Sequence, residues 1–358
     1  MSMIVYLLVA LLLYTAWLPT IKLALNKLSC KRTFSRTVLY AGEEGEVVEI
    51  IRNESPFMVP WVRMESRGSP YMRLGSQENL DVSGDRYYSS LFAPMPYQQI
   101  RRTHKVRFLR RGVYRFGNAS LTAGDFLDVF RLHKDQDMDT QVLVYPELLD
   151  RDRIPAQLAE QMDTLAQKRT LLQDPFLVRG IRPYVPGDPV RDIHWPATAR
   201  MGQAQLRLRD DISSTKLLVV LNGQAEEMQW GDRLPERLEE SMEKWISLAA
   251  TLCVEAIRQG TPAGFASNMA LERDDAAVVL EPELDGGQED RLLTAFARLD
   301  AAGFVQRFPD FLQTLEACED TDILILSCYD SQLLQNAMEA LRRNGNHVQL
   351  HLLEGGGV

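Results

Sequence analysis

Cysteine is scarce in this chain: Cys30, Cys253, Cys318 and Cys328 are the only four among 358 residues, and no two stand in CxxC spacing. That excludes a disulfide framework and a cysteine zinc ribbon, so the four read as buried or free thiols of a reducing compartment. Positive charge is also short. A formal net charge of -9 and a pI near 5.2 argue against nucleic acid as the main partner, because phosphate binding needs concentrated Lys and Arg. HExxH, GxSxG, and GxxxxGK followed by Ser or Thr are all missing, and with them the usual marks of a zinc protease, a serine hydrolase and a nucleotide-hydrolysing machine. His347 and His351 are four residues apart, about 13 Å on a strand and too far to share one metal. Long uncharged apolar runs are limited to one.

That run is Met3–Ile21, about the length that spans a hydrocarbon core as a helix. It predicts a transmembrane anchor over residues 1–25, with Tyr14 and Trp17 near an interface. A signal peptide fits less well, since no basic stretch precedes the run and no small-residue cleavage site follows. Lys22, Lys27, Lys31, Arg32 and Arg36 come after it. The positive-inside rule then predicts a single-pass inner-membrane protein whose soluble domains face the cytoplasm.

The remaining chain changes texture twice. Residues 37–147 alternate short apolar runs with turn clusters such as Asn53-Glu54-Ser55-Pro56, which predicts an all-β sandwich. Residues 155–212 hold an amphipathic linker helix, Pro155–Leu172, and then an irregular segment. From 213 to 354, strands and helices alternate, beginning with the apolar run Lys216–Asn222. This predicts a doubly wound α/β domain with a mostly parallel sheet. The fold class expected is therefore multidomain: an N-terminal transmembrane helix, an all-β sandwich, then an α/β doubly wound domain.

The segment Phe176–Arg200 is the most unusual. Pro183, Pro186, Gly187 and Pro189 impose turn and extended geometry, too irregular for a helix or plain strand. Arg182, Arg191 and Arg200 can fork onto carboxylates, and Tyr184, Ile193 and Trp195 can anchor the segment in a core. Arg182, Tyr184, Gly187, Asp188, Arg191, Ile193, Trp195, Thr198, Ala199 and Arg200 stand at fixed spacing. In this pattern the segment resembles the signature of the family called domain of unknown function fifty-eight. Pro196 departs from it, at a position where lysine is more usual. Arg110-Arg111-Gly112 and Gly124-Asp125 also resemble that family, although its Gly-Asp-Pro-Phe-Gly run is here Gly124-Asp125-Phe126-Leu127-Asp128. Read from the residues alone, Arg110 and Arg111 belong to a solvated turn.

The resemblance implies a von Willebrand factor A-like C-terminal domain over 213–354. Its metal loop, Asp-x-Ser-x-Ser in the family, is replaced by Asn222, Gln224 and Glu226. Amides are weak ligands for a hard cation, so the site is degenerate and no cofactor, divalent cation included, is expected. Asp330 is expected to cap the helix after it. Asp188, Asp192 and His194 could form an acid–base cluster, and an envelope-associated hydrolase is one alternative function. A metal-dependent adhesion domain is another. The function expected first is a non-enzymatic, membrane-anchored cytoplasmic adaptor. Its residues Arg182, Tyr184, Gly187, Asp188, Arg191, Trp195, Thr198 and Arg200 are the expected binding surface. The resemblance implies its partners: a MoxR-type AAA+ ATPase, with a transglutaminase-like membrane protein and the lipid bilayer beside it.

Overall fold

A computed structural model describes the chain except residues 1, 76–79, 84–86, 139, 173–179, 186–189, 191–192, 209–215, 230–233, 235, 273, 275 and 354–358. It divides into two units, 1–147 and 148–358.

The first unit opens with helix α1 (Ser2–Asn26) and continues through twelve strands. These are β1 (Leu28–Phe34), β2 (Val38–Tyr40), β3 (Glu44–Asn53), β4 (Trp61–Arg67), β5 (Met72–Leu74), β6 (Leu80–Ser83), β7 (Tyr87–Phe92), β8 (Gln99–Phe108), β9 (Gly112–Phe116), β10 (Ala119–Gly124), β11 (Arg131–Gln136) and β12 (Thr140–Tyr145). They form sheets of order β1-β3-β8-β5, β11-β10-β4-β7-β6 and β2-β12-β9. Alternation decides which face is buried. In β4, Val62 and Met64 point inward while Arg63 and Glu65 point out, and β10 turns Ala119, Leu121 and Ala123 to the same core. The turn after β3 is built by Asn53, whose Oδ1 accepts from the Ser55 amide at 3.0 Å and whose Nδ2 donates to the Phe57 carbonyl at 2.8 Å.

The expected membrane span is corrected here: among the described residues no helix is long and apolar enough to cross a membrane. The last turns of α1 belong to the sandwich, with Ala24 and Leu25 buried among Leu28, Ile51, Val62 and Leu121. Pro19 lies inside the helix, where it removes a backbone donor. Arg32, taken from the sequence as a membrane-flanking cation, is buried in β1. The expected amino-terminal membrane helix gives way to a helix whose end packs into a first unit that is mainly β, sandwich-like and built of several sheets.

In the second unit, α2 (Ala156–Leu172) precedes β13 (Gly180–Pro183), α3 (Trp195–Met201) and β14 (Gln205–Leu208). There follow β15 (Lys216–Leu221), α4 (Glu236–Arg258), β16 (Ala263–Ala270), β17 (Ala277–Glu283), α5 (Gln288–Arg298), α6 (Phe308–Thr314), β18 (Thr321–Ser327), α7 (Gln332–Arg343) and β19 (His347–Leu352). Five strands make one sheet of order β17-β16-β15-β18-β19, parallel except for the antiparallel pair β16–β17. The central strand β15 is apolar on both sides. Leu217, Val219 and Leu221 meet α2, α4 and α5, whereas Leu218 and Val220 meet α6 and α7. Helix α7 shows how a local pattern fixes an element: Leu334, Ala337, Met338 and Leu341 recur at helical spacing and are buried. Its first turn is capped by Ser331, whose Oγ accepts from the Leu334 amide at 3.2 Å.

Candidate functional site

Three parallel strands, β15, β16 and β18, end on one edge of the sheet, the place where open α/β sheets present ligand-binding loops. Asn222, directly after β15, is fully buried. Its Nδ2 donates to Ser327 Oγ at 3.0 Å, and its Oδ1 accepts from the Gln224 amide at 2.9 Å. Ser327 Oγ in turn donates to the Tyr329 carbonyl at 2.8 Å. From the neighbouring strand, Asn268 Oδ1 accepts from the Gly223 amide at 2.7 Å, and Asn268 Nδ2 donates to the Gln306 carbonyl at 3.0 Å. Gln224, also buried, accepts at Oε1 from the Phe308 amide at 2.6 Å. A Cβ at position 223 would lie 2.4 Å from Met269 Cγ and 3.2 Å from Asn268 Oδ1, so any other residue there would displace the Met269 side chain.

Neutral amides and hydroxyls thus hold this loop, and the side-chain oxygens of Asn222 and Gln224 already accept backbone N–H groups. Glu226, the third position of the degenerate metal loop, is exposed. Among the described residues no group of three or more His, Cys, Asp or Glu is arranged to hold a metal ion. Asp330 does not cap α7, since Ser331 does; its Oδ1 accepts from Gln335 Nε2 at 2.7 Å. Elsewhere in this unit, α2 and the sheet enclose a groove of about 360 Å³ lined in part by Glu160, Gln161, Asp322 and His347. His347 Nδ1 lies 2.9 Å from Asp322 Oδ1 there.

The signature segment is more regular than its prolines suggest. β13 and β14 pair antiparallel, Arg182 opposite Leu206, and the Tyr184 amide donates to the Ala204 carbonyl at 2.8 Å. Between them lies α3, which the proline-rich stretch hid. His194 is its N-cap, with Nδ1 accepting from the Ala197 amide at 3.0 Å; Pro196 sits in the first turn, and Gly202 ends the helix in the left-handed region at φ 67. Thr198 Oγ1 accepts from the Gln205 amide at 2.9 Å and ties helix to strand. Ile193 is buried as expected, but Trp195 is corrected: it is 64% exposed and anchors no core. Arg200 is exposed as well, and Arg182 and Tyr184 are half-buried. Gly187, Asp188, Arg191 and Asp192 lie outside the described residues.

Among the described residues, the most heavily buried ionic group lies in the first unit and escaped the sequence reading. Arg32, Glu49 and His104 sit inside the sandwich, each all but inaccessible to solvent. Arg32 Nε donates to Glu49 Oε1 at 2.9 Å, and its other nitrogens reach Glu49 and Ser66 Oγ. His104 Nε2 lies 3.1 Å from Glu49 Oε2. Burial by itself would raise the Glu49 carboxyl. The hydrogen bond from His104 and the Arg32 charge hold it instead at about 2. The signal was present in the pattern: Arg32, Glu49 and His104 each occupy the inward phase of their strand, and Arg32 lies directly opposite Glu49 in register. Arg111 is likewise buried rather than part of a solvated turn.

None of the thiols is poised as a nucleophile. Burial pushes Cys30 and Cys328 up to about 12 and raises Cys253 and Cys318 as well.

No curated protein matches the chain. Solved structures that resemble part of it include a Salmonella alpha-2-macroglobulin mutant, with TM-score 0.24, 15% identity, and coverage of 34% of this chain and 7% of that one. A CARDB domain from Pyrococcus furiosus matches with TM-score 0.22, 15% identity, and 33% and 88% coverage of the two chains. A PapD-like domain of human CEP192 gives TM-score 0.23, 10% identity, and 34% and 87% coverage. Residues 180–299, which begin at β13 and run through α5, match the family model described as "Protein of unknown function DUF58".

Proposed function

We propose that this chain is an interaction protein without catalysis of its own, an adaptor that meets its partner through β13, α3 and β14. The observation that carries this reading is the exposure of Ile181, Val185, Trp195 and Met201, with exposed Arg200, on a segment held by backbone pairing and a capped helix. Large apolar groups presented on a fixed frame favour association, and Trp and Arg dominate binding hot spots. His194 supports the reading because its Nδ1 is engaged in capping α3, a structural task.

The sheet order, with helices on both faces, supports reading the second unit as a von Willebrand factor A-like module. The neutral network around Asn222 supports contact that needs no metal. The family resemblance supplies the partner, a MoxR-type AAA+ ATPase, with a transglutaminase-like membrane protein as a further component.

Calorimetric titration of the purified full-length chain with the ATPase tests this. Trp195→Ala and Arg200→Glu should each weaken binding about 30-fold, the effect of losing a hot spot of about 2 kcal/mol. Unaltered affinity in both variants would remove the signature segment from the interface.

A further inference from the structure

The outer strands of the five-stranded sheet, β17 and β19, are built differently. β17 is blunted: Pro282 lacks an amide donor, Glu281 and Glu283 add exposed charge, and the register with β16 shifts between Ala263 and Phe265 and again between Ser267 and Ala270. Proline, charge and bulges close an edge to further pairing. β19, His347-Val348-Gln349-Leu350-His351-Leu352, has no proline, no carboxylate and no lysine, and pairs with β18 along its whole length without a register shift. No described strand lies on its other side.

The hydrogen bonds fix which of its groups point outward. The Leu353 amide donates to the Ser327 carbonyl at 2.8 Å, so by the alternation of a parallel ladder the odd-numbered residues bond to β18 and the even-numbered ones turn N–H and C=O away from it. Arg342 Nη2 accordingly reaches the Val348 carbonyl at 2.9 Å. The amides of Val348, Leu350 and Leu352 are aimed where another strand would lie. Side chains divide by face. Val348 and Leu350 join the core under α6 and α7, whereas His347 and Gln349 line the groove beside α2 together with Glu160 and Asp322.

We infer that β19 receives an extended segment of a partner protein as an added strand, and that this segment carries a lysine or arginine on the side facing α2. Backbone pairing supplies affinity and a pocket for alternate side chains supplies choice. Charge selects the occupant. The groove is lined by two carboxylates, Glu160 and Asp322, and by no Lys or Arg; Asp322 Oδ1 is met by His347 Nδ1 at 2.9 Å. A second copy of the chain, at net charge -9, would bring a second acidic groove to the same edge. These residues are not those of β13, α3 and β14, so the inference stands apart from the adaptor reading.

The probe is a fluorescein-labelled peptide, Thr-Val-Arg-Val-Thr-Val, whose arginine and threonines share one face of a strand and whose valines share the other. Anisotropy with the full-length chain should show saturable binding, and glutamate in place of the peptide's arginine should weaken it at least about tenfold. Glu160→Lys, at an exposed position of α2, should reverse that preference. Leu350→Pro removes an outward amide and no bond to β18, and should abolish binding while thermal unfolding is unaltered. Should that variant fail to fold, Glu160→Lys carries the test. No saturable binding, equal affinity for the two peptides, or an unaltered preference in Glu160→Lys would each overturn the inference. So would a concentration-dependent dimer that Leu350→Pro dissolves, which would assign the edge to a second copy.

Discussion

In the first unit, Arg32, Glu49 and His104 meet inside a sandwich as ionisable groups out of reach of water. In the second, Asn222, Gln224, Asn268 and Ser327 meet at the ends of parallel strands, equally buried but neutral. Both clusters satisfy their polar atoms, yet the consequences differ. A buried ion pair repays its desolvation only while every partner is present, so the sandwich cluster is sensitive to mutation and to acid. A network of amides and hydroxyls has no charge to lose. The loop after β15 is thereby held by uncharged groups that do not titrate.

Breaking the ionic cluster should have the largest effect. Glu49→Gln leaves the Arg32 guanidinium buried without its counter-charge, and should destabilise the first unit by about 3–5 kcal/mol in urea unfolding. A loss below about 1 kcal/mol would mean that the cluster contributes little.

The same carboxylate sets an acid limb. Its value falls from 4.5 to about 2 on folding, so its contribution is fully present above pH 4.5 and disappears as pH falls towards 2. Between those limits the wild type should lose about 3 kcal/mol on this account, and Glu49→Gln should lack that component. Superimposable pH profiles of the two proteins would contradict the assignment.

The neutral network should be weaker to break. Asn222→Leu strands the Gln224 amide and removes the partner of Ser327, at a cost of about 1–3 kcal/mol to the second unit. That loss should be the same with and without a chelator, measured by thermal unfolding; a chelator-dependent loss would reveal a cation in the loop. Smallest of all is Trp195→Ala. Because the indole is mostly in solvent, stability should change by no more than about 0.5 kcal/mol, which separates its expected role in binding from any role in folding.

The sequence revealed elements better than it revealed sites. Amphipathic spacing located α2 to within a residue or two, and the apolar run at Lys216 marked β15, because amphipathic and fully buried segments carry their burial in their spelling. The helix α3 was missed because Pro183, Pro186, Gly187 and Pro189 led the whole segment to be read as turn and extended, although proline is favoured in a first turn and His194 and Gly202 supply the caps. The apolar run at the amino terminus was read from its length, its lack of charge and the basic residues after it, without allowing for the last turns that pack into the sandwich. The buried cluster was missed for a different reason: Arg32, Glu49 and His104 come from three strands, and only the pairing of those strands brings them together. Charges on the inward phase of adjacent strands were the available warning.

The measurement that bears most directly on the adaptor account is crosslinking of the full-length chain to a Walker-mutant MoxR-type ATPase, with mass spectrometry of the linked peptides. The account predicts crosslinks concentrated between Gly180 and Leu208 and their loss in Trp195→Ala. Abundant crosslinks confined to other surfaces, or recovery of the chain alone under conditions that trap the ATPase, would contradict it.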